Sequence, residues 1–381
     1  MSPIRWRVAL HATDRTGPPM LALALLSWLS RNRCEDSLSI VSFRGGELAG
    51  EFSRFGPLRI MLNDEEAWDH RRPDSPRAAQ LMADFFGLEP ADITLLVSVS
   101  AGQVLPYLPA GRDCVVAWVV EQGEDLHWLH GPLRVADHVD AWIAGSEGTR
   151  EALLEVLGDQ TVAVAAEFVD DWSPSPPGGT SEGARATFRA GLGIGADQMM
   201  VLGAGICTYR KAPDLFLETV VAVERSQPGR ARFVWLGGER DPLFDKVSAE
   251  IERLGVSSMQ ILPGVAELRP WFDAADVFLH PARLDAFPLV CLHAAITGTP
   301  VVAFRGAGGV PEMLGDTFRG ANYPDVAGLG AEVVGLIDPH QRARLGGEQQ
   351  QVVRKRFVTD IAAPALVDAV MVAQHEHRLA S

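Results

Sequence analysis

The chain has little positive charge, few cysteines and no long apolar run. Its 381 residues include 34 Lys and Arg against 49 Asp and Glu, which gives a net charge of −15. A surface that binds the phosphate backbone of nucleic acids has to be cationic, so this balance argues against a nucleic-acid partner. It does not exclude a small anion such as a diphosphate, because one or two cations and a few backbone amides can hold one.

No stretch approaches the roughly 20 apolar residues that a membrane-spanning helix needs. The apolar run from Met20 to Leu29 is short and lacks the basic segment and cleavage site of a signal peptide. We therefore expect a cytoplasmic protein with, at most, peripheral membrane contact. The cysteines are widely scattered without metal-ligand spacing, so reduced structural thiols and no metal site are expected; they are Cys34, Cys114, Cys207 and Cys291.

The composition, with 47% hydrophobic and 22% charged residues, is that of a soluble globular protein. Short apolar runs alternate with helical segments along most of the chain, which indicates parallel sheets covered by helices on both faces. The predicted strands are 7–11, 38–43, 93–99, 114–120, 139–144, 199–203, 231–236, 259–262, 276–279 and 300–304. The predicted helices are 18–32, 212–226, 242–254, 267–275 and 289–297.

A change of composition divides this pattern into two halves. Residues 170–183 are rich in proline, glycine and serine and predict a linker. The sequence thus predicts two Rossmann-like, doubly wound α/β domains, with a ligand in the cleft that the carboxyl ends of their strands face. The predicted boundaries are 1–168 for the first domain, 169–183 for the linker and 184–358 for the second domain, with a helical tail at 359–381 that packs back on the first.

The segment from Asp285 to Glu312 carries the strongest site signal. Asp285 comes just before a predicted helix, and the first amides of that helix, at Leu289 and Val290, form a natural anion site. His293 lies one turn further on, so it can share the ligand-facing side of the helix. Two other interpretations stay open: a solvated or capping role for Asp285, and a helix-surface or core position for His293.

This segment resembles the signature of glycosyltransferase family 4, whose members are retaining enzymes of the GT-B fold. The matching stretches are 287–290, 294–295, 298–302 and 308–312. The two glutamates of the family signature fall on Asp285 and His293. The resemblance implies that the first acid binds hydroxyls of the donor sugar and the second position binds the ribose. A neutral histidine offers one donor and one acceptor there, so it cannot bridge two hydroxyls as a carboxylate does.

Other stretches extend the resemblance to most of the chain. Arg210 and Lys211 stand where the family has cations for the donor diphosphate, although the commonest position of that arginine is Ile206 here. Without the downstream match, the pair could equally be an exposed helix start. The glycines before the pair also invite a dinucleotide-binding interpretation, but the third glycine of that pattern is missing. Glu121 of the family His-Glu pair is retained, and Val120 replaces the histidine.

The resemblance implies a hexosyltransferase-type enzyme that moves a sugar from a nucleoside diphosphate sugar to a hydroxyl acceptor and retains the anomeric configuration. It also implies that the enzyme needs neither a metal ion nor a further cofactor. Two alternatives remain: a sugar-nucleotide epimerase or hydrolase, and a catalytically degenerate partner or regulator. The sugar, the base, the acceptor and the oligomeric state are left open. Catalytic roles are predicted for Asp285, Arg210, Lys211 and Glu121. Donor contacts are predicted for Thr16, Gly17, Gly264, Val265, Phe287, Leu289, Val290, His293 and Glu312.

Overall fold

The computed structural model describes residues 3–62, 90–108, 113–131, 134–172, 182–237 and 242–380. The chain forms two compact units. The first consists of Met1–Phe168 together with Thr359–Ser381, and the second is Val169–Val358. The second unit therefore includes the segment 169–183 that the sequence predicts as a linker. Of the predicted linker, residues 173–181 lie outside the described ranges.

The first unit is built on a parallel sheet with the strand order β3-β2-β1-β4-β5-β6-β7. The chain reverses its direction of winding between β1 and β4, as in a Rossmann fold. The strands are β1 Arg5–Leu10, β2 Ser37–Arg44, β3 Leu58–Leu62, β4 Ile93–Val97, β5 Cys114–Val119, β6 Ala141–Ala144 and β7 Val162–Val164. The helices among its described residues before the second unit are α1 Gly17–Asn32, α2 Ala49–Phe52 and α3 Glu147–Leu157.

Helix α1 shows why the local sequence forms this unit. Prolines occupy its first turn, where no intrahelical amide bond is lost. Leu21, Leu25 and Leu29 recur at four-residue spacing and are fully buried, so one face of the helix packs on the sheet.

The second unit repeats the architecture with the strand order β10-β9-β8-β11-β12-β13. The strands are β8 Met199–Ala204, β9 Ala231–Leu236, β10 Met259–Leu262, β11 Val277–His280, β12 Val301–Arg305 and β13 Arg319–Asn322. The helices are α4 Glu182–Gly191, α5 Pro213–Ser226, α6 Pro242–Leu254, α7 Arg269–Ala274, α8 Leu289–Ile296, α9 Val310–Leu314, α10 Val326–Gly335 and α11 Pro339–Arg356.

The winding of the second unit reverses between the neighbouring strands β8 and β11. In an open parallel sheet, the loops that leave such a pair of strands diverge and open a crevice at the carboxyl edge. Here these loops are residues 205–212, after β8, and residues 281–288, after β11. The topology therefore brings the two segments with the strongest sequence signals to one place.

The last helix, α12 Thr359–Ala380, belongs to the first unit and contacts α1, β5 and β6. The four cysteines are free thiols, and only Cys34 of them is exposed. Among the helices of the described ranges, none combines the length and the apolar character that crossing a bilayer requires.

The differences from the predicted strands have local causes. Strands β3, β7 and β13 were not predicted, and each lies at an outer edge of its sheet, where a strand needs no continuous apolar run. Strand β4 ends at Val97 rather than residue 99, because the backbone of Ser98 turns to a φ of 91°.

Candidate functional site

The backbone of Asp285 is fixed by the glycine-rich loop after β12. The amide of Asp285 donates to the Ala307 carbonyl at 2.9 Å, and the amide of Gly309 donates to the Asp285 carbonyl at 3.0 Å. Gly308 lies between them with a φ of 126°, and a Cβ atom there would be 1.9 Å from the Asp285 carbonyl oxygen. Only glycine allows this close approach. The paired glycines of the motif therefore hold Asp285 in place.

The Asp285 carboxylate is the centre of a buried cluster of polar groups. Arg210 Nη1 donates to Oδ1 at 3.1 Å, and Lys211 Nζ donates to Oδ2. His280 Nε2 lies 3.0 Å from Oδ2. Only 9% of the Asp285 side chain is exposed, which contradicts the interpretation as a solvated loop residue.

Burial alone raises the pKa of Asp285, but the charge of Lys211, the His280 contact and the charge of Arg210 together hold that pKa well below its ordinary range. The carboxylate therefore stays ionised at neutral pH, as an acceptor of hydrogen bonds.

Arg210 and Lys211 lie in the turn before α5, not on an exposed helix start. The next residue, Ala212, has a left-handed φ of 59°. Arg283 supports this turn, since its amide donates to the Arg210 carbonyl at 2.8 Å and its guanidinium covers the Tyr209 ring at 4.0 Å. The side chain of Arg210 remains 46% exposed and that of Lys211 17% exposed. Both cations thus have a partner within the site and access to solvent.

The start of α8 lies directly after this cluster. The first intrahelical bonds are donated by Cys291 and Leu292 to the Pro288 carbonyl, at 2.9 and 3.4 Å. The amides of Leu289 and Val290 precede them, so they have no acceptor within the helix and can face an anion. Phe287 is 3% exposed, and its ring packs against Phe357 at 5.3 Å, so it offers a ligand its backbone rather than its ring.

His293 is held by aromatic packing. Its ring stacks on Trp172 with 4.0 Å between centroids and an angle of 23°, and it also faces the Phe272 ring at 6.4 Å. Burial lowers the pKa of His293 to about 3. Within the described ranges its Nδ1 atom has no hydrogen-bond partner. His293 is therefore a neutral, partly buried ring with one free polar atom.

The lowered pKa of His293 predicts an acid-dependent loss of stability. The unfolded chain binds a proton at His293 below about pH 6.5 and the folded chain does not, so stability is complete above that pH and falls as the pH drops towards 3. Between pH 7 and 5, wild type should lose about 1–2 kcal/mol more unfolding free energy than His293→Phe, which keeps an aromatic ring beside Trp172. Urea titrations at both pH values measure this difference.

The matched control is His375→Phe, because His375 is an exposed residue of α12 that stays in water whether the chain is folded or not. It should follow wild type across the pH range. Equal acid sensitivity of wild type and His293→Phe contradicts the prediction.

Two residues of this region had no role predicted from the sequence. His280, the last residue of β11, is 4% exposed and touches the Asp285 carboxylate. Burial lowers the pKa of His280 more than Asp285 raises it, and Lys211 and Arg210 lower it further. Trp172 lies in the predicted linker and covers His293. A histidine at the end of a strand beside the crevice was the available signal for His280, whereas nothing in the linker composition marks Trp172.

The remaining predicted donor residues of the second unit lie at the ends of its elements. Gly264 and Val265 belong to the exposed loop after β10. Glu312 is a partly buried residue of α9, two residues beyond the point where that short helix begins.

The predicted residues of the first unit lie at the carboxyl edge of its sheet. Thr16 precedes α1, and its hydroxyl donates to Asp14 at 2.6 Å instead of capping the helix, which begins at Gly17. Glu121 Oε2 accepts hydrogen bonds from the amides of Val99 at 3.2 Å and Val120 at 3.1 Å. Burial raises the pKa of Glu121, although these two hydrogen bonds act to lower it. Glu121 thus ties together the segments that follow β4 and β5.

Comparison with known proteins finds a family that matches most of the second unit. Residues 197–338 match the family described as glycosyl transferases group 1. They include the cationic turn, the Asp285 cluster and the glycine-rich loop. This part of the chain is thus similar to the glycosyl transferases of group 1.

Relatives of this chain include two proteins described as D-inositol 3-phosphate glycosyltransferase. The protein from Xylanimonas cellulosilytica is 30% identical over 248 residues, which cover 62% of this chain and 58% of that protein. The protein from Streptomyces griseus is 29% identical over 275 residues, which cover 65% of this chain and 57% of that protein. The chain thus spans less than two thirds of the length of these relatives.

Solved structures show that this chain has the GT-B fold. Anabaena HepE in complex with UDP-glucose superimposes with a TM-score of 0.78 at 16% identity, covering 97% of this chain and 100% of HepE. WaaG, a glycosyltransferase involved in lipopolysaccharide biosynthesis, superimposes with a TM-score of 0.71 at 15% identity, covering 97% of this chain and 99% of WaaG.

Proposed function

We propose that this chain transfers a sugar from a nucleoside diphosphate sugar to a hydroxyl acceptor, with retention of the anomeric configuration. The observation that carries the proposal is the cluster of Asp285 with Arg210 and Lys211 directly before the start of α8. It combines a buried acceptor for sugar hydroxyls, two cations and free helix amides. These are the groups that a sugar linked to a diphosphate needs.

The diphosphate is the natural second partner of the two cations. Arg210 and Lys211 both donate hydrogen bonds to the Asp285 carboxylate. A diphosphate at the start of α8 offers more negative charge than one carboxylate, so both side chains can turn to it without losing a counter-ion. They then neutralise the charge that grows on the diphosphate as the glycosidic bond breaks.

The same exchange prepares Asp285 for the sugar. Once Lys211 has turned away, Asp285 Oδ2 keeps the contact with His280 and can accept a sugar hydroxyl. Departure of the diphosphate leaves an oxocarbenium-like sugar, which the acceptor hydroxyl attacks from the face that the diphosphate has left. This route needs no carboxylate nucleophile, no metal ion and no further cofactor.

The nucleoside end of the site suggests a uridine nucleotide as the first donor to test. HepE is described in complex with UDP-glucose, and its fold matches 97% of this chain. The loop with Gly264 and Val265 can contact a base through its backbone, and the free Nδ1 of His293 can bind one ribose hydroxyl. The inositol phosphate named in the description of the relatives is the first acceptor to test.

The packing of His293 supports a second candidate, a degenerate partner that no longer turns over a donor. The ring stacks on Trp172, and a neutral imidazole can replace only part of the contacts that a carboxylate makes with a ribose. Val120 is also apolar, at the position where the family 4 pattern has the histidine of its His-Glu pair. In this case the chain would hold a nucleotide weakly or not at all.

A donor screen separates these functions. The purified chain is heated with UDP-, GDP- and ADP-sugars, since a ligand that binds the folded state raises the melting temperature. The stabilising donor is then incubated with inositol phosphate and with simple sugars as acceptors, and the anomeric configuration of the product is read by NMR.

A retained glycosidic linkage is the expected result. Release of the free nucleoside diphosphate without an acceptor indicates a hydrolase or an epimerase. Binding without turnover indicates the regulatory partner. If no nucleoside diphosphate or its sugar binds, the transferase proposal is wrong.

A further inference from the structure

A second group of chemically reactive side chains lies in the first unit, at the edge of the sheet opposite to Glu121. Cys114 is the first residue of β5, Asp140 directly precedes β6, and His377 lies in the last turns of α12. Strands β5 and β6 are parallel neighbours, so Cys114 and Asp140 meet at the amino edge of the sheet. The thiol, one carboxylate oxygen and one imidazole nitrogen all lie within 4.8 Å of one another.

Two backbone hydrogen bonds fix the Asp140 carboxylate in a position where it can bind a metal ion. The amide of Asp140 donates to the Val115 carbonyl at 2.8 Å, and the amide of Val115 donates to Asp140 Oδ2 at 2.7 Å. These two bonds fix the residue and leave Oδ1 directed at His377 Nδ1, at 3.3 Å. A hydrogen bond to the second oxygen of a ligating carboxylate is the usual support of a metal ligand.

The three side chains match the coordination chemistry of one kind of ion. A thiolate, an imidazole and a carboxylate suit Zn²⁺, whereas Mg²⁺ and Ca²⁺ require oxygen ligands. Ligand atoms around a tetrahedral zinc lie about 3.3–3.7 Å apart, as its bond lengths of about 2.0–2.3 Å dictate. The 3.3 Å between Asp140 Oδ1 and His377 Nδ1 falls in this range, and the Cys114 thiol lies within 4.8 Å of a ligand atom of each of these residues. The negative charges of a thiolate and a carboxylate also balance the two positive charges of Zn²⁺.

The surroundings allow entry of an ion and leave room for a fourth ligand. The side chains of His377 and Asp140 are 26% and 39% exposed, while Cys114 is buried beneath them. The neighbouring cation, Arg378, is directed at Asp92, with 3.6 Å between Nη2 and Oδ1. An ion can thus approach from solvent and keep a water molecule in the open position.

We propose that Cys114, Asp140 and His377 form a zinc site that fastens the C-terminal helix to the sheet of the first unit. The helix α12 returns to this unit after the whole of Val169–Val358. A bridge between residues so distant in sequence restricts the unfolded chain and stabilises the fold, as a disulfide does. The site lies away from the carboxyl edge, so its role is structural and independent of sugar transfer.

The test uses Co²⁺ and Zn²⁺ on the full-length chain carrying Cys34→Ser, which removes the exposed thiol. After treatment with a chelator, Co²⁺ should bind one per chain with a thiolate-to-cobalt charge-transfer band and the visible absorption of a tetrahedral site, and Zn²⁺ should displace it. Mg²⁺ should do neither. Zn²⁺ should also raise the melting temperature, because it binds the folded chain.

Single substitutions in the same background locate the ion. Cys114→Ser should abolish the charge-transfer band, and Asp140→Asn and His377→Gln should each weaken Co²⁺ binding at least about tenfold, as loss of one ligand does. The matched control is His375→Gln, an exposed histidine two residues before His377 on the same helix. It should bind Co²⁺ as the parent does.

Circular dichroism establishes that each variant is folded before titration. An unchanged charge-transfer band in Cys114→Ser, or Co²⁺ binding without any such band in the parent, overturns the proposal and leaves Asp140 and His377 as a simple ion pair. An equal loss of binding in His375→Gln also overturns it. None of these outcomes bears on binding of nucleotide sugars, which is measured separately.

Discussion

Replacement of Lys211 by methionine is expected to lower the rate of sugar transfer about 10²–10³-fold, the effect of removing one preorganised group that stabilises charge in a transition state. The ammonium group of Lys211 is mostly buried and already aimed at the Asp285 carboxylate, so it reaches the diphosphate without a large reorganisation. Methionine preserves most of the length and apolar volume of the side chain. The loss should therefore come from charge, not from a cavity.

The same substitution leaves the buried Asp285 with fewer partners. Its carboxylate keeps Arg210 and His280, so the expected loss of unfolding free energy is about 1–3 kcal/mol. Initial rates at saturating donor separate the two effects, because they report only folded enzyme when they are normalised to the active fraction. Calorimetry with UDP should show the weakened binding directly.

The matched control is Lys246→Met, which removes the same charge from an exposed position of α6. It should change neither the transfer rate nor the affinity for UDP by more than about twofold, because exposed charges at a distance are screened by solvent and salt. Equal rates for Lys211→Met and wild type contradict the role given to Lys211.

Replacement of Gly308 by alanine is expected to destabilise the second unit by about 3 kcal/mol or more, through steric overlap and backbone strain together. The added Cβ atom would lie 1.9 Å from the Asp285 carbonyl oxygen, at a φ of 126° that alanine rarely adopts. Because the obstacle is backbone, relief requires Asp285 and the glycine-rich loop to separate. The variant should thus lose nucleotide binding as well as stability.

Gly306→Ala is the control within the same loop. Gly306 also has a positive φ, of 83°, but a Cβ atom there meets nothing within 4 Å. The expected cost is about 1 kcal/mol, from strain alone, with nucleotide affinity preserved. Thermal unfolding and calorimetry with UDP measure both variants. A Gly308→Ala chain as stable as Gly306→Ala would show that the contact with Asp285 does not constrain the loop.

Much of the fold could be predicted from residue patterns because parallel strands buried on both faces are continuous apolar runs. Strands such as β8 and β9 have this pattern, and the proline-rich composition near residue 170 marks the division of the chain. The edge strand β7 could not be found in this way, since two of its three residues are exposed. Its place depends on pairing with β6, which is a tertiary contact.

The sequence selects residues for the candidate site but does not give their contacts. Asp285, Arg210 and Lys211 were selected by their places after strands and before helices. Their ion pairs depend on β8 and β11 being neighbours, and that follows from the winding of the sheet. His293 shows most clearly what the sequence could not predict. Its spacing from Asp285 was evident, but its packing against Trp172, about 120 residues away in the chain, was not.

The sequence by itself determined the α/β class, the two halves and the segment from Asp285 to Glu312, because periodicity, turn residues and glycine spacing are local properties of a chain. Only the tertiary structure decided which side chains meet. It placed His280 beneath the Asp285 carboxylate and brought Cys114, Asp140 and His377 together from three distant segments. Contacts of this kind arise when apolar faces are buried against one another, and no spacing along the chain encodes them.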